Sequence, residues 1–189
     1  MFVPTGLFHT IVDIQVDCFR GIHTVIVGGD KLSQKHVKKV ADVCGTRIIN
    51  GYGPTESTVF ATAVEANAFV GKVNEIPIGK PLSNTEIYIL NHQLQLNPIG
   101  VIGEICIAGD GLVQGYLNRP ELTKEKFIYH NSMKKRLYRT GDLGRWLPDG
   151  NIEYCGRMDQ QVKIRGYRVE LGEIEACLLN VEEIQDVAV

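Results

Sequence analysis

Apolar and polar positions change rhythm three times along the chain. The run "TVIVGG", from residue 24, is short, apolar and closed by glycines, which suits a buried parallel strand. In "SQKHVKKVADVC" the residues Val37, Val40, Val43 and Cys44 recur at helical spacing, with Ser33 placed to cap the helix and Gly45 to stop it. "TRIIN" then reads as the next strand, so residues 24–50 predict one βαβ unit. The preceding "FVPTGLFHTIVDI" shows no recognisable first element and reads as a cut inside a larger domain.

From about residue 76 short strands alternate with turn residues: "EIYIL", "GEICIAG", "LGRWL" and "NIEYCG", with "LPDGN" as a hairpin connection. After "GRMDQQ" the rhythm shifts again. "VKIRG" is strand-like, "ELGEIEACLLN" predicts an amphipathic helix with Ile174, Cys177 and Leu178 on one face, and "DVAV" reads as the beginning of a strand. Both ends therefore read as truncations of a longer chain.

Composition narrows the function classes. A chain of 189 residues has material for one core and part of another. A net charge of −2 and a pI near 6.2 leave no electrostatic footprint for nucleic acid. No apolar run approaches the roughly 18 residues that predict a membrane span, and the N-terminus lacks the marks of a secretory signal. Five cysteines, odd in number, scattered and without a C-x-x-C pair, fit reduced thiols in the cytoplasm better than disulfides or zinc. Five histidines are equally scattered and make no metal spacing.

Three stretches can carry chemistry. "NGYGPTEST", residues 50–58, follows a strand, where ligands commonly bind in open α/β sheets. There Thr55 offers a hydroxyl to phosphate, Glu56 a carboxylate to Mg²⁺ and Tyr52 an aromatic face to a base; a strand-ending turn uses the same residues without a ligand. In "LYRTGDLGRW", Asp142 can accept hydrogen bonds from paired hydroxyls such as those of a ribose, or can simply serve a β-turn. Arg157, fifteen residues on, carries a guanidinium fork suited to phosphate, carboxylate or ribose oxygens. In "GRMDQQVKIRGYRVELGEIE", the run Asp159, Gln160, Gln161 interrupts two structured stretches as an interdomain hinge can. The alternation that follows also fits an edge strand with one solvated face.

The order and spacing of these runs, with "IPIGKPLSNTEIYIL" and "GEICIAGDGLVQGYLNRPELT" between them, resemble the adenylation domains of nonribosomal peptide synthetases, within the adenylate-forming, AMP-binding superfamily. The resemblance covers essentially the whole chain. It implies a multi-lobed α/β fold, with residues 1–158 forming the later part of a large lobe. Residues 1–75 would close its α/β sheet, residues 76–158 would form a distorted β-barrel, and residues 159–189 would be a hinge and the start of a small α+β lobe. It implies amino-acid activation in two steps. An amino acid carboxylate attacks the α-phosphate of Mg·ATP to give aminoacyl-AMP and pyrophosphate, and the phosphopantetheine thiol of a peptidyl carrier domain then takes the aminoacyl group. A condensation domain of the same assembly line would be a further partner.

Matched motif by motif, the resemblance implies that Tyr52 stacks near adenine, with Gly29 and Asp30 lining that side and Asn50 nearby. Thr55 would hold phosphate, Glu56 the magnesium and Asp142 the ribose 2′- and 3′-hydroxyls. Tyr154 and Arg157 would close over the nucleotide, Asp159 would be the hinge, and Gly166 would sit on the loop that approaches the thiol. Ile26, Gly28, Gly51, Val59 and Phe60 would line a substrate pocket without a carboxylate, suited to a medium aliphatic side chain such as valine. The family's serine/threonine/glycine-rich phosphate loop, the pocket aspartate and the catalytic lysine are not found in these residues, so the chain alone is expected to be inactive. D-alanine–carrier ligases, acyl- or aryl-acid ligases, and a pseudo-domain that only binds a partner are the rival readings.

Overall fold

The computed structural model describes residues 1–158, 162–164, 167–169, 171–181, 184 and 186–189. Strand β1 (Phe2–Pro4) runs into helix α1 (Thr5–Gln15), and a short 3₁₀ turn leads to β2 (Thr24–Gly28). Helix α2 (Gln34–Cys44) and β3 (Arg47–Tyr52) follow. The three strands are parallel, with Ile26 of β2 between Phe2 and Ile49. The opening segment is thus a β–α–β unit, although the sequence shows no recognisable first element there. Its strand has only three residues, one of them proline, too few to show an alternation. Its helix declares itself through Phe8 and Val12, one turn apart and fully buried.

Both helices cover the same face of the sheet. Phe8, Val12, Val37 and Val40 share one core with Val25 and Val27 of β2 and Ile48 of β3. Helix α2 ends as its spacing predicts: Gly45 takes a φ of 66° and its N–H donates to the Ala41 carbonyl. Its start differs from expectation. Ser33 sits at the cap position, but its hydroxyl makes no capping bond; its N–H donates to His9 Nε2 on α1 at 3.2 Å. Val43, counted on the apolar stripe, lies exposed.

Strands β4 (Thr62–Glu65) and β5 (Lys80–Pro81) extend the sheet antiparallel, in the order β1-β2-β3-β4-β5. A second, antiparallel sheet follows: β6 (Thr85–Leu90), β7 (Gly103–Gly109), then helix α3 (Pro120–Lys126), β8 (Phe127–His130), β9 (Lys135–Trp146) and β10 (Ile152–Arg157). Its order is β10-β9-β7-β6, with β8 beside the first half of β9. Among the described residues these strands form an open sheet and do not close into a barrel. The far edge of β10 is taken instead by the first sheet: Ile152 exchanges backbone hydrogen bonds with Ile78 and Gly79 at 2.8 and 2.9 Å.

Gly79 is built for that seam. It has a φ of 94°, and a Cβ there would lie 2.1 Å from the Ala63 carbonyl oxygen. Beyond residue 158, β11 (Val162–Ile164) and β12 (Tyr167–Val169) form an antiparallel pair and α4 (Leu171–Leu179) follows. The expected face of this helix is not covered, since Ile174, Cys177 and Leu178 are exposed. Residues 186–189 form no strand. All five cysteines are unpaired, and no helix among the described residues is long and apolar enough to cross a membrane.

Candidate active site

Asp142 is the centre of the site, and a break in strand pairing puts it there. Between β7 and β9 the register jumps from Glu104 opposite Leu143 to Cys106 opposite Arg139. Residues 140–142 therefore bulge opposite Ile105 alone, a device that re-aims side chains beside active sites. Thr140 Oγ1 donates to the Ile105 carbonyl at 2.7 Å and accepts the Asp142 N–H at 2.9 Å, so the bulge is internally bonded. On its other edge β9 meets β10, where a second irregularity between Tyr154 and Gly156 leaves Arg157 directly opposite Asp142.

The Asp142 carboxylate is buried and held at both oxygens. Oδ1 accepts Arg157 Nη1 at 2.6 Å, and Oδ2 accepts the Tyr52 hydroxyl at 2.7 Å. Arg157 Nη2 also reaches the Thr140 carbonyl at 3.3 Å. Burial, reinforced by the Asp142 charge, pushes the Tyr52 phenol well above its ordinary range, so it stays protonated and donating. Tyr52 ends β3 and Asp142 lies in β9, so this bond joins the two sheets at two of the candidate residues.

A cleft opens beside this network at the C-terminal ends of β2 and β3. Gly29, Asp30 and Lys31 line one side, Asn50 to Gly53 the floor, and Glu75, Ile76, Ile78, Glu153 and Tyr154 the rest. The rings of Tyr52 and Tyr154 stand 6.4 Å apart, tilted by 43°. The buried Asn50 amide donates to the Pro77 carbonyl at 2.8 Å, fixing the opposite wall. An ion pair between Lys31 and Glu75 spans the rim.

The turn after β3 is tightly specified. A Cβ on Gly53 would lie 2.5 Å from the Val59 carbonyl oxygen. Thr58 and Val59 both have positive φ, 62° and 90°, and the second is a strained setting for a β-branched residue. Thr55 is exposed, whereas Glu56 is buried and accepts the Tyr116 hydroxyl at 2.6 Å through Oε1. Burial first, then the Glu56 hydrogen bond, pushes the Tyr116 phenol far up. The Val113 N–H on the Glu56 carbonyl (2.9 Å) and the Thr58 hydroxyl on the Gly111 carbonyl (2.7 Å) tie the same turn to the second sheet's loop.

In open α/β sheets, ligands bind in the crevice outside the carboxyl ends of the strands, which is where this cleft lies. The family model for AMP-binding enzyme matches residues 1–117. The chain belongs to the AMP-binding enzyme family. Bacitracin synthase 1 of Bacillus licheniformis is 53% identical over all of this chain and 4% of its own length. Surfactin synthase subunit 3 of Bacillus subtilis is 50% identical over all of this chain and 15% of its own length. The chain thus spans a small part of these curated relatives. A solved NRPS protein containing adenylation and PCP domains superposes with a TM-score of 0.89 at 34% identity, over 98% of this chain and 38% of its own.

For this AMP-binding chain, the structure gathers Gly29, Asp30, Asn50, Tyr52 and Tyr154 on one cleft, and Tyr52, Asp142 and Arg157 in one network. Thr55 and Glu56 follow on the adjoining turn, outside the cleft lining. Gly28 and Gly51 do not leave open space, because the Phe60 ring lies over both. A Cβ would meet it at 3.0 Å on Gly28 and 2.7 Å on Gly51. Ile26 is half-buried and Val59 is exposed. Asp159 and Gly166 lie outside the described residues. Glu104, Tyr116, Thr140 and Lys31 escaped the sequence reading. Thr140, two residues from Asp142, and Lys31, next to Asp30, carried a local signal, while Glu104 and Tyr116 reach the site from distant segments.

Proposed function

We propose that this chain forms the nucleotide-facing part of an amino-acid-activating adenylation domain: ATP and an amino acid give aminoacyl-AMP and pyrophosphate, and a carrier-bound phosphopantetheine thiol then accepts the aminoacyl group. The observation that carries this is the Asp142 carboxylate, oriented by Tyr52 and Arg157 beside a cleft at the ends of β2 and β3. A buried carboxylate with fixed oxygens is an acceptor pair for the vicinal hydroxyls of a ribose. Tyr52 and Tyr154 then flank the base, with Gly29, Asp30 and Asn50 around its edge, which places the triphosphate toward the turn bearing Thr55 and Glu56. Arg157 both orients Asp142 and puts positive charge beside the ribose and α-phosphate.

Magnesium fits as a phosphate-borne ion. No cluster of three potential ligands exists among the described residues. A single buried carboxylate, Glu56, oriented by Tyr116, matches an ion that takes its remaining ligands from phosphates and water. When bound, the ion would neutralise charge developing on the phosphates. The protein's own contribution is positioning and charge stabilisation. Within this reading residues 1–158 belong to the large lobe and Asp159 is the hinge. Ile26, Gly28, Gly51, Val59 and Phe60 would lie on the amino-acid side, where the Phe60 ring packed over the two glycines narrows the apolar space left for a medium aliphatic side chain.

The test is pyrophosphate exchange into ATP by the adenylation domain that carries this segment, across L-amino acids, D-alanine, fatty acids and aryl acids. Exchange driven by one L-amino acid and reduced at least about 100-fold by Glu56→Ala or Asp142→Ala is the expected outcome. Exchange only with D-alanine, an acyl acid or an aryl acid would move the chain to the rival ligases. A folded domain that exchanges with none of them would be a pseudo-domain.

A further inference from the structure

Glu104 lies on β7, on the far side of the bulge from Arg157, and has no place in the nucleotide contacts above. It is nonetheless buried, and its carboxylate bonds Gly141 inside the bulge and Arg139 at its edge. Oε1 accepts the Gly141 N–H at 3.1 Å. Oε2 accepts Arg139 Nε and Nη2 at 3.0 and 2.8 Å. The bulge takes the Gly141 N–H out of the regular ladder, and Gly141 itself adopts a φ of 73°. A buried amide without a partner is costly, so the carboxylate substitutes for the missing strand acceptor. On the opposite side the Gly141 carbonyl accepts the Met158 N–H at 2.8 Å. Gly141 is thus bonded to both neighbours, and Asp142 follows it directly.

We infer that Glu104 is a positioning residue for ribose recognition: by holding Gly141 within the 140–142 bulge, and Arg139 at its edge, it fixes the direction in which Asp142 presents its carboxylate. This rests on the reading of Asp142 as the ribose acceptor. A carboxylate is well suited because one oxygen can serve Gly141 while the other takes the Arg139 fork. Shortening it by a methylene keeps the charge but cannot serve both, and an apolar residue serves neither.

The consequence is specific to the sugar. A loosened Asp142 loses grip on the hydroxyls but leaves base and phosphate contacts in place. The experiment compares ATP with 2′,3′-dideoxy-ATP as exchange substrates, and AMP with 2′,3′-dideoxy-AMP in calorimetric binding. Both are run on the intact adenylation domain and its Glu104→Leu, Glu104→Asp and Asp142→Ala variants. The expected result is that Glu104→Leu reduces the preference for the ribose form about tenfold, with Glu104→Asp intermediate and KM for the amino acid unchanged. If Glu104→Leu does not fold, Glu104→Asp decides. Equal losses on both nucleotides, with the preference intact, would show that Glu104 only supports the fold and would overturn the inference. A preference that survives even in Asp142→Ala would overturn the ribose reading beneath it.

Discussion

At the scale of single residues, the site depends on carboxylates whose partners come from elsewhere in the chain. Glu56 receives the Tyr116 hydroxyl across 60 residues of sequence, and Asp142 receives Tyr52 across 90. Removing such a donor leaves a buried charge with one bond fewer. Tyr116→Phe is therefore expected to cost about 1–3 kcal/mol in denaturant unfolding, even though it deletes one atom on a loop. A loss below a few tenths would mean that the bond contributes nothing net. Gly51 poses the opposite problem, since any side chain must displace the Phe60 ring. Gly51→Ala should lower stability by roughly 1–3 kcal/mol, and adding Phe60→Leu should recover part of it, measured by the same unfolding curves.

Elements meet at two seams with different chemistry. Between α1 and α2, the rings of His9 and His36 stack 4.2 Å apart, His36 reaches Asp13 at 3.2 Å, and His9 Nε2 accepts the Ser33 N–H. Burial and the neighbouring His36 hold His9 below its ordinary value of 6.5, with Asp13 and Asp30 opposing this. A lowered histidine pKa means that the unfolded chain binds the proton more readily. Stability is thus full above pH 6.5 and falls as the pH drops from there toward the folded-state value. Chemical unfolding at successive pH values should show this slope, and His9→Gln should flatten it.

The second seam joins the sheets through Gly79 and Ile152. Here the obstacle to a side chain is backbone, the Ala63 carbonyl, so no rotamer change relieves it. Gly79→Ala should cost about 3 kcal/mol, more than Gly51→Ala; equal costs would mean that the seam gives way easily.

For the whole molecule, the proposed nucleotide site needs the two sheets to stay in register with each other. Tyr52 comes from the parallel sheet, and Asp142 and Arg157 from the antiparallel one. A double-mutant cycle between Tyr52→Phe and Asp142→Ala should therefore show a coupling of about 1–3 kcal/mol in AMP binding by the intact domain. Additive losses would mean that the two residues act on the nucleotide separately. The second sheet also touches the first at one backbone bridge, where Ile152 at the start of β10 meets Ile78 and Gly79.

Local rules made much of this protein readable in advance. The glycine stop of α2, the strands around Ile26, Ile49, Ile87 and Ile105 and the "LPDGN" hairpin all declare themselves within a few positions, because periodicity and turn chemistry are short-range effects, whereas the candidate residues Tyr52, Glu56, Asp142 and Arg157 stand out only through the order of their motifs. What the sequence left open lies in pairings between distant segments. These include the three-residue strand β1, which is a strand only because β2 lies beside it, and the open edge where a barrel was expected. They also include the Phe60 ring filling the space over two glycines, and Glu104 and Tyr116 behind the two functional carboxylates. A buried acceptor is chosen by which N–H the fold leaves unpaired, and that is settled only when strand registers and bulges are in place.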